Sequence, residues 1–378
     1  MHLLAGIAGF AIIAVVLGDA FETIVLPRRV TRRFRFTRLF YRSTWLPWRN
    51  LCLHVRNRKR REVLLSLFGP LSLILLLSVW ALSLIFGFAL LQWAFRTRLS
   101  GATPAAFLEY LYLSGTTFPT LGLGDLAPVS RLARFLTVWE AATGFGFFAI
   151  VIGYLPVIYQ AFSERERNIT LLDARAGSPP SAAELLRRYA EARALPALDD
   201  LLAEWEHWSA GLLESHISYP VVALFRSQHN NQSWLGALTT ILDTSAILLV
   251  GVNGVRSRQA QLTFAMARHA LVDLAQVLNA APVAPATDRL PPAELERLRT
   301  LLAGYGASVS VEPGAEPKLR ELRSMYEPYA CALARFLAVE LPGWFPLRPV
   351  PDNWQTSAWE RAARRIPPAG ALTPDDHL

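Results

Sequence analysis

The sequence predicts an all-α membrane protein with three transmembrane helices, a re-entrant pore helix with a filter, and a helical cytoplasmic domain. Three observations carry this reading. Apolar residues concentrate in the first 160 positions, in three stretches long enough for a bilayer core, which takes about 20 residues per helix. Arginine supplies nearly all of the +8 net charge of the 378-residue chain, lysine occurring only at 59 and 318, and it gathers beside the apolar stretches. That placement follows membrane topology more than nucleic-acid binding. Between the second and third stretches stands Thr120-Leu121-Gly122-Leu123-Gly124-Asp125, a run with few side chains in the way of its carbonyls.

The first span covers residues 3 to 26. No positive region precedes it and no small-residue cleavage site follows, so it reads as an uncleaved helix. Asp19 and Glu22 lie three apart and share a face near its inner end. Two readings stand: a cation-attracting or gating pair, or acids that meet nearby arginines such as Arg28 or Arg32. Residues 28 to 62 carry thirteen Lys and Arg and one acid, Glu62, interleaved with Phe34, Phe36, Phe40, Tyr41, Trp45 and Trp48. Such a segment suits an amphipathic helix on an anionic inner leaflet, so contacts with anionic lipid are expected from 28–61 and none with nucleic acid. The excess puts this loop in the cytoplasm and the amino terminus outside.

The second span runs from Val63 to Phe95 with Pro70 near its start, and Arg96 and Arg98 follow it outside. Thr103-Pro104 reads as a helix start, since Thr can cap and Pro at the first helical position loses nothing. Ala105 to Thr117 is then a short amphipathic helix, too short to span and therefore re-entrant. Its carboxyl end carries partial negative charge that favours a cation. Pro119 has no N–H and ends the helix before Thr120. Gly122 and Gly124 can take positive φ at no steric cost, and alternating them with ordinary residues turns successive carbonyls to one side. Four such strands around an axis make stacked rings of oxygens, which the Thr120 hydroxyl can close at the inner end.

The third span runs from Arg131 to Phe162. Gly144, Gly146 and Gly153 recur in it, with Pro156 three residues after the last. They serve either bending at a gate or close helix packing. Glu140 is an acid inside the span and should hydrogen-bond behind the filter to Ser114, Thr116 or Thr117.

Thr120 to Asp125 resembles the selectivity filter of the potassium channel family, usually Thr-Val-Gly-Tyr-Gly-Asp. The resemblance covers roughly residues 60 to 160. It implies passive, selective potassium permeation through a homotetramer, with K+ held by Thr120, Leu121, Gly122 and Leu123 and no organic cofactor. It also implies a hydrogen bond from Tyr112 to Asp125, a hinge at Gly144, and Phe145 and Phe148 facing the cavity. Thr117, Pro119, Gly124 and Glu140 complete the filter support, and Gly153 and Pro156 the gate. Three positions depart from the pattern. Leu123 stands where Tyr or Phe is usual, although some two-pore-domain channels carry Gly-Leu-Gly. Pro119 stands where Thr is usual. Thr116 stands where some relatives place a Glu against the filter Asp.

After residue 163 the chain is polar, with Arg165 and Arg167 marking a cytoplasmic end. Gly177-Ser178-Pro179-Pro180 is a linker. Helical patterns follow at 181–217, 232–251, 257–280, 291–304 and 317–341. No βαβ pattern or Gly-x-Gly-x-x-Gly occurs, so a nucleotide-binding regulatory domain is not expected. Ser233 to Val252 is apolar enough for a fourth span, but Thr239, Thr240 and Asp243 in its middle favour a buried helix of a soluble bundle. Glu214, His216, His229 and Asp243 have no metal-binding spacing. Cys52 and Cys331 read as free thiols, and residues 351–378 as a poorly ordered tail.

The domains are therefore an amino-terminal span (1–27), a basic interfacial segment (28–62), a pore domain (63–162), a helical cytoplasmic domain (163–350) and a tail. The expected protein is a multi-pass inner-membrane channel without enzymatic chemistry. A weakly selective cation channel and a non-conducting sensor on a channel scaffold are the alternatives.

Overall fold

A computed structural model describes residues 1–26, 36–101, 106–229, 231–253, 255 and 257–346. Thr103, Pro104 and the tail lie outside the described residues, as do Arg28 and Arg32. The protein is an all-α membrane protein, and it forms two compact units, Met1–Gln160 and Ala161–Leu378.

In the first unit, α1 (His2–Ala20) continues through a π-helical turn, Phe21–Val25. It packs along α3 (Arg58–Ala94). The two backbones come close through glycine: a Cβ on Gly9 would stand 2.7 Å from the Gly87 carbonyl oxygen, and one on Gly87 would stand 2.8 Å from Ile13. Small residues at such crossings let membrane helices exchange dispersion contacts that lipid cannot replace. Between them in sequence lies α2 (Phe36–Leu53), the helix expected in the basic segment. Trp45 is buried against Phe68, and the Trp48 indole N–H donates to the Leu64 carbonyl at 3.1 Å. Asn57 caps α3 by accepting from the Arg60 N–H at 3.1 Å.

Two short strands, β1 (Leu99–Ser100) and β2 (Ala127–Pro128), pair antiparallel and clasp the two ends of the loop that holds α4 (Phe107–Thr117). The next helix, α5, runs unbroken from Arg131 to Ala176, well past the expected end at 162. The reason is an amphipathic pattern beneath the polar composition. Arg165, Ile169, Leu172 and Ala176 recur at helical spacing and are all buried, and no Gly or Pro stands between Phe162 and Gly177.

The second unit contains the last part of α5 and seven further helices among the described residues: α6 (Ala182–Glu191), α7 (Leu198–Ser218), α8 (Trp234–Gly251), α9 (Ser257–Val277), α10 (Pro292–Ala303), α11 (Ala315–Ser324) and α12 (Glu327–Leu337). The pattern expected over 181–217 is two helices. Arg193 takes a left-handed φ of 54°, and Pro196 lies in a short 3-10 turn. The pattern over 317–341 likewise breaks between α11 and α12, just before Pro328. Helix α8 has the length and hydropathy of a span, yet every residue from Trp234 to Leu248 is buried by the protein around it. Asp243, at its centre, meets Arg289 at 2.7 Å and the Tyr326 hydroxyl at 2.5 Å.

A candidate ion-conduction site

Helix α4 positions the site and is fixed on three sides. The Tyr110 hydroxyl donates to the Thr97 carbonyl at 2.7 Å, and Ala89, Leu99, Tyr110 and Leu113 form a buried cluster. Phe107 packs edge-on against both Phe86 and Trp93. The Ser114 hydroxyl reaches the Ile85 carbonyl at 2.8 Å and also bonds Glu140, the partner expected from the sequence. No side chain caps the amino end of α4 at Ala106.

The chain leaves α4 by a tight set of backbone bonds. Thr120 N–H donates to the Thr117 carbonyl at 2.9 Å. The Thr116 carbonyl accepts from both Leu121 (2.8 Å) and Gly122 (3.1 Å). The last carbonyls of a helix lack partners within it, and here the filter strand itself supplies them. Thr116 therefore matters through its main chain, a role its side chain gives no sign of.

Beyond this anchor the backbone alternates. Thr120, Gly122 and Gly124 have φ of 61°, 53° and 79°, while Leu121 and Leu123 lie outside the left-handed region. Positive φ is ordinary for glycine but uncommon for a β-branched residue, and such outliers concentrate at functional sites. The strand is exposed in the single chain, with Leu121 62% and Leu123 59% accessible. Behind it, the Tyr112 hydroxyl donates to Asp125 Oδ2 at 2.9 Å. Thr117 is buried, and Pro119 stands exposed just past the end of α4.

Gly144 lies under the end of α4. A Cβ there would stand 1.9 Å from the Phe118 carbonyl oxygen, so in this structure Gly144 serves close packing. Phe118 is buried and meets the rings of Phe147 and Phe148 at 5.8 and 6.1 Å. Phe145 is 70% exposed and Phe148 41%, surfaces that a lone chain leaves open. Gly146 and Gly153 face open space, and α5 passes through Gly153 and Pro156 without interruption.

Asp19 is buried but does not face the conduction site. Its carboxyl accepts from the Thr37 N–H at 3.1 Å, the Thr37 hydroxyl at 2.5 Å and the Trp80 indole N–H at 3.2 Å. Thr37 is in the first turn of α2, so Asp19 serves a helix N–H that has no partner within its own helix. Sequence reasoning missed both partners, since the indole is 61 residues away. In the second unit, Glu214, His216, His229 and Asp243 are not brought together, and no group of three His, Cys, Asp or Glu among the described residues could hold a metal ion. A cleft of about 660 Å³ there is lined by Glu164, Arg167, Asp200, Glu204 and His207.

Residues 74–160 match the family model described as ion channel. Over this segment the chain is similar to ion channels. The match takes in the second half of α3, α4, the filter strand and α5 as far as the end of the first unit. The chain is also similar to the uncharacterized membrane protein YdjJ of Bacillus subtilis strain 168. The two are 24% identical over 260 residues, which is 68% of this chain and 74% of that protein. No solved structure matches the chain.

Proposed function

We propose that this chain forms, with three further copies, a K+-selective channel of the cell's inner membrane. The observation that carries the reading is the alternation of positive φ at Thr120, Gly122 and Gly124, directly after a helix whose last carbonyls hold the strand. Each chain has one filter strand, so a ring of carbonyls needs fourfold cyclic assembly. K+ would be held by the carbonyls of Thr120, Leu121, Gly122 and Leu123 and by the Thr120 hydroxyl. The Tyr112–Asp125 bond supports the strand from behind.

The arginine-rich segment 28–61 and everything after 163 lie in the cytoplasm in this reading, with 96–130 outside. Exposed Arg38 and Arg42 on α2 suit anionic headgroups. The carboxyl-terminal unit sets gating in this reading. A weakly selective cation channel is the second reading, favoured by the exposed Leu123 where an aromatic residue is usual.

The test is K+ and Na+ flux through purified protein in liposomes. K+ should pass in clear preference to Na+; equal permeability selects the second reading. Gly122→Ala should abolish K+ flux and leave the tetramer assembled. No atom lies within 4 Å of the added Cβ, so its cost is the backbone strain of about 1–2 kcal/mol at positive φ, repeated in four strands. Normal K+ flux in that variant would overturn the filter assignment.

A further inference from the structure

Ser114 stands where three helices meet. Its hydroxyl lies 2.8 Å from the Ile85 carbonyl oxygen on α3 and also contacts Glu140 Oε1 on α5. A serine hydroxyl has one proton to give. A carbonyl oxygen has none, so the proton must lie on the bond to Ile85; otherwise two bare acceptors would face each other at hydrogen-bond distance. The contact between Ser114 and Glu140 then takes its proton from Glu140.

The other carboxyl oxygen points the same way. Glu140 Oε2 is buried and has no hydrogen-bond partner among the described residues. An ionised carboxylate offers four acceptor sites, and burying one with an oxygen bare and no cation beside it is strongly unfavourable. Glu140 is 0% exposed within a single chain. Neither a neighbouring copy nor a lipid headgroup can therefore reach it to supply the missing charge. Four residues further along the same face of α5, Gly144 admits the Phe118 carbonyl, so this face meets α4 at two points.

We propose that Glu140 is a protonated carboxylic acid at neutral pH and acts as a positioning residue for the pore helix. Its O–H donates to Ser114 Oγ, and Ser114 donates to the Ile85 carbonyl, a two-bond relay that ties α5, α4 and α3 at one point. The relay holds the filter's supporting helix without placing a negative charge behind it. The assignment stands whatever ion passes, since the hydrogen-bond count does not involve the filter.

Infrared spectra of the full-length protein in phosphatidylcholine vesicles at pH 7 read the proton directly. A protonated-carboxyl C=O band is expected in wild type. It should be absent from Glu140→Gln and moved to higher frequency in Ser114→Ala, where the carboxyl loses its partner. Glu140→Gln should keep ion flux within about twofold of wild type, because its amide N–H can replace the acid's donor. Glu140→Ala should lose about tenfold or more, with Ser114 left unpaired. A band that persists in Glu140→Gln, or stands unmoved in Ser114→Ala, would overturn the proton assignment. Equal damage from Gln and Ala would overturn the positioning role. The Ser114→Ala spectrum decides the proton even if a Glu140 variant fails to fold, and the band is read independently of K+ selectivity.

Discussion

The two units bury carboxyl groups by different means. In the first, Asp19 is met by a backbone N–H, a hydroxyl and an indole, and Glu140 by a hydroxyl. None of those partners is charged. In the second unit each buried acid among the described residues meets at least one arginine. Asp243 lies on Arg289 at 2.7 Å, and Glu327 is shared between Arg289 at 3.1 Å and Arg323 at 3.0 Å. Glu184 takes both Arg187 and Arg188. Glu166 faces Arg165 at 2.8 Å and also accepts from Ser227. The difference follows from the surroundings. A guanidinium is expensive at membrane depth, whereas hydroxyl, indole and N–H donors carry no charge to desolvate. In the second unit the arginine fork offers five donors in a rigid plane and can serve two acids and a carbonyl at once, as Arg289 does with Asp243, Glu327 and Pro342.

The comparison breaks most visibly at Arg289. Arg289→Ala leaves Asp243 1% exposed with only the Tyr326 hydroxyl, and it takes one of two cations from Glu327. Removing one partner of a buried pair costs about 3–5 kcal/mol. Thermal unfolding of the full-length protein in detergent should show that loss. The double change Arg289→Met with Asp243→Leu should recover part of it, since α8 then carries no buried charge to satisfy. A double variant no better than Arg289→Ala would mean that the pair itself specifies how α8 packs.

Asp19 should behave more mildly, because its donors are neutral. Asp19→Ala strands the Trp80 indole and the Thr37 N–H, and each unpaired buried donor costs about 1–3 kcal/mol. Asp19→Asn keeps one acceptor oxygen and should lose roughly half as much. If Asn cost as much as Ala, the group would act through charge, and the contrast between the units would fail on the membrane side.

The residues also explain what the sequence let us read. Hydropathy made the three spans legible because lipid-facing and core-facing residues are alike apolar. The polar residues Thr239, Thr240 and Asp243 separated α8 from them despite its span-like composition. The resemblance to potassium channels pointed to the Tyr112–Asp125 contact, and the location of Glu140 pointed to a hydroxyl on the pore helix. Long-range pairings were not legible. Nothing local says that Asp19 meets Trp80, or that Gly9 lies on Gly87. Arg165 was read as a topological charge, yet it is 3% exposed and donates to the carbonyls of Val222 and Phe225 at 2.9 Å each. A buried arginine and a headgroup arginine look the same in sequence. The positive φ of Thr120 was not legible for the opposite reason: β-branched residues rarely take it, so local preference argued against the conformation it holds.

The smallest effect expected is a pH dependence carried by one residue of the second unit. His216 is fully buried on α7, with the Arg165 guanidinium of α5 3.4 Å from its Nε2 and the Trp234 ring of α8 5.6 Å away. Glu166, paired with that arginine, is the acid of the same cluster. Burial first, and then the Arg165 charge, hold the imidazole well below its usual range, so it is neutral in the folded protein. A proton on Nε2 would set donor against donor and cation against cation. The unfolded chain takes up that proton near pH 6.5 and the folded chain only at much lower pH. Stability is therefore complete above about pH 6.5 and falls as the pH drops below it, by at most about 1.4 kcal/mol per pH unit from this group. Unfolding of the full-length protein at pH 7.5 and at pH 5 should show the loss. His216→Gln should flatten the slope in that window, whatever it does to stability at pH 7.5. A slope unchanged in His216→Gln would place the acid sensitivity elsewhere and remove this role from the cluster around Arg165 in the last part of α5.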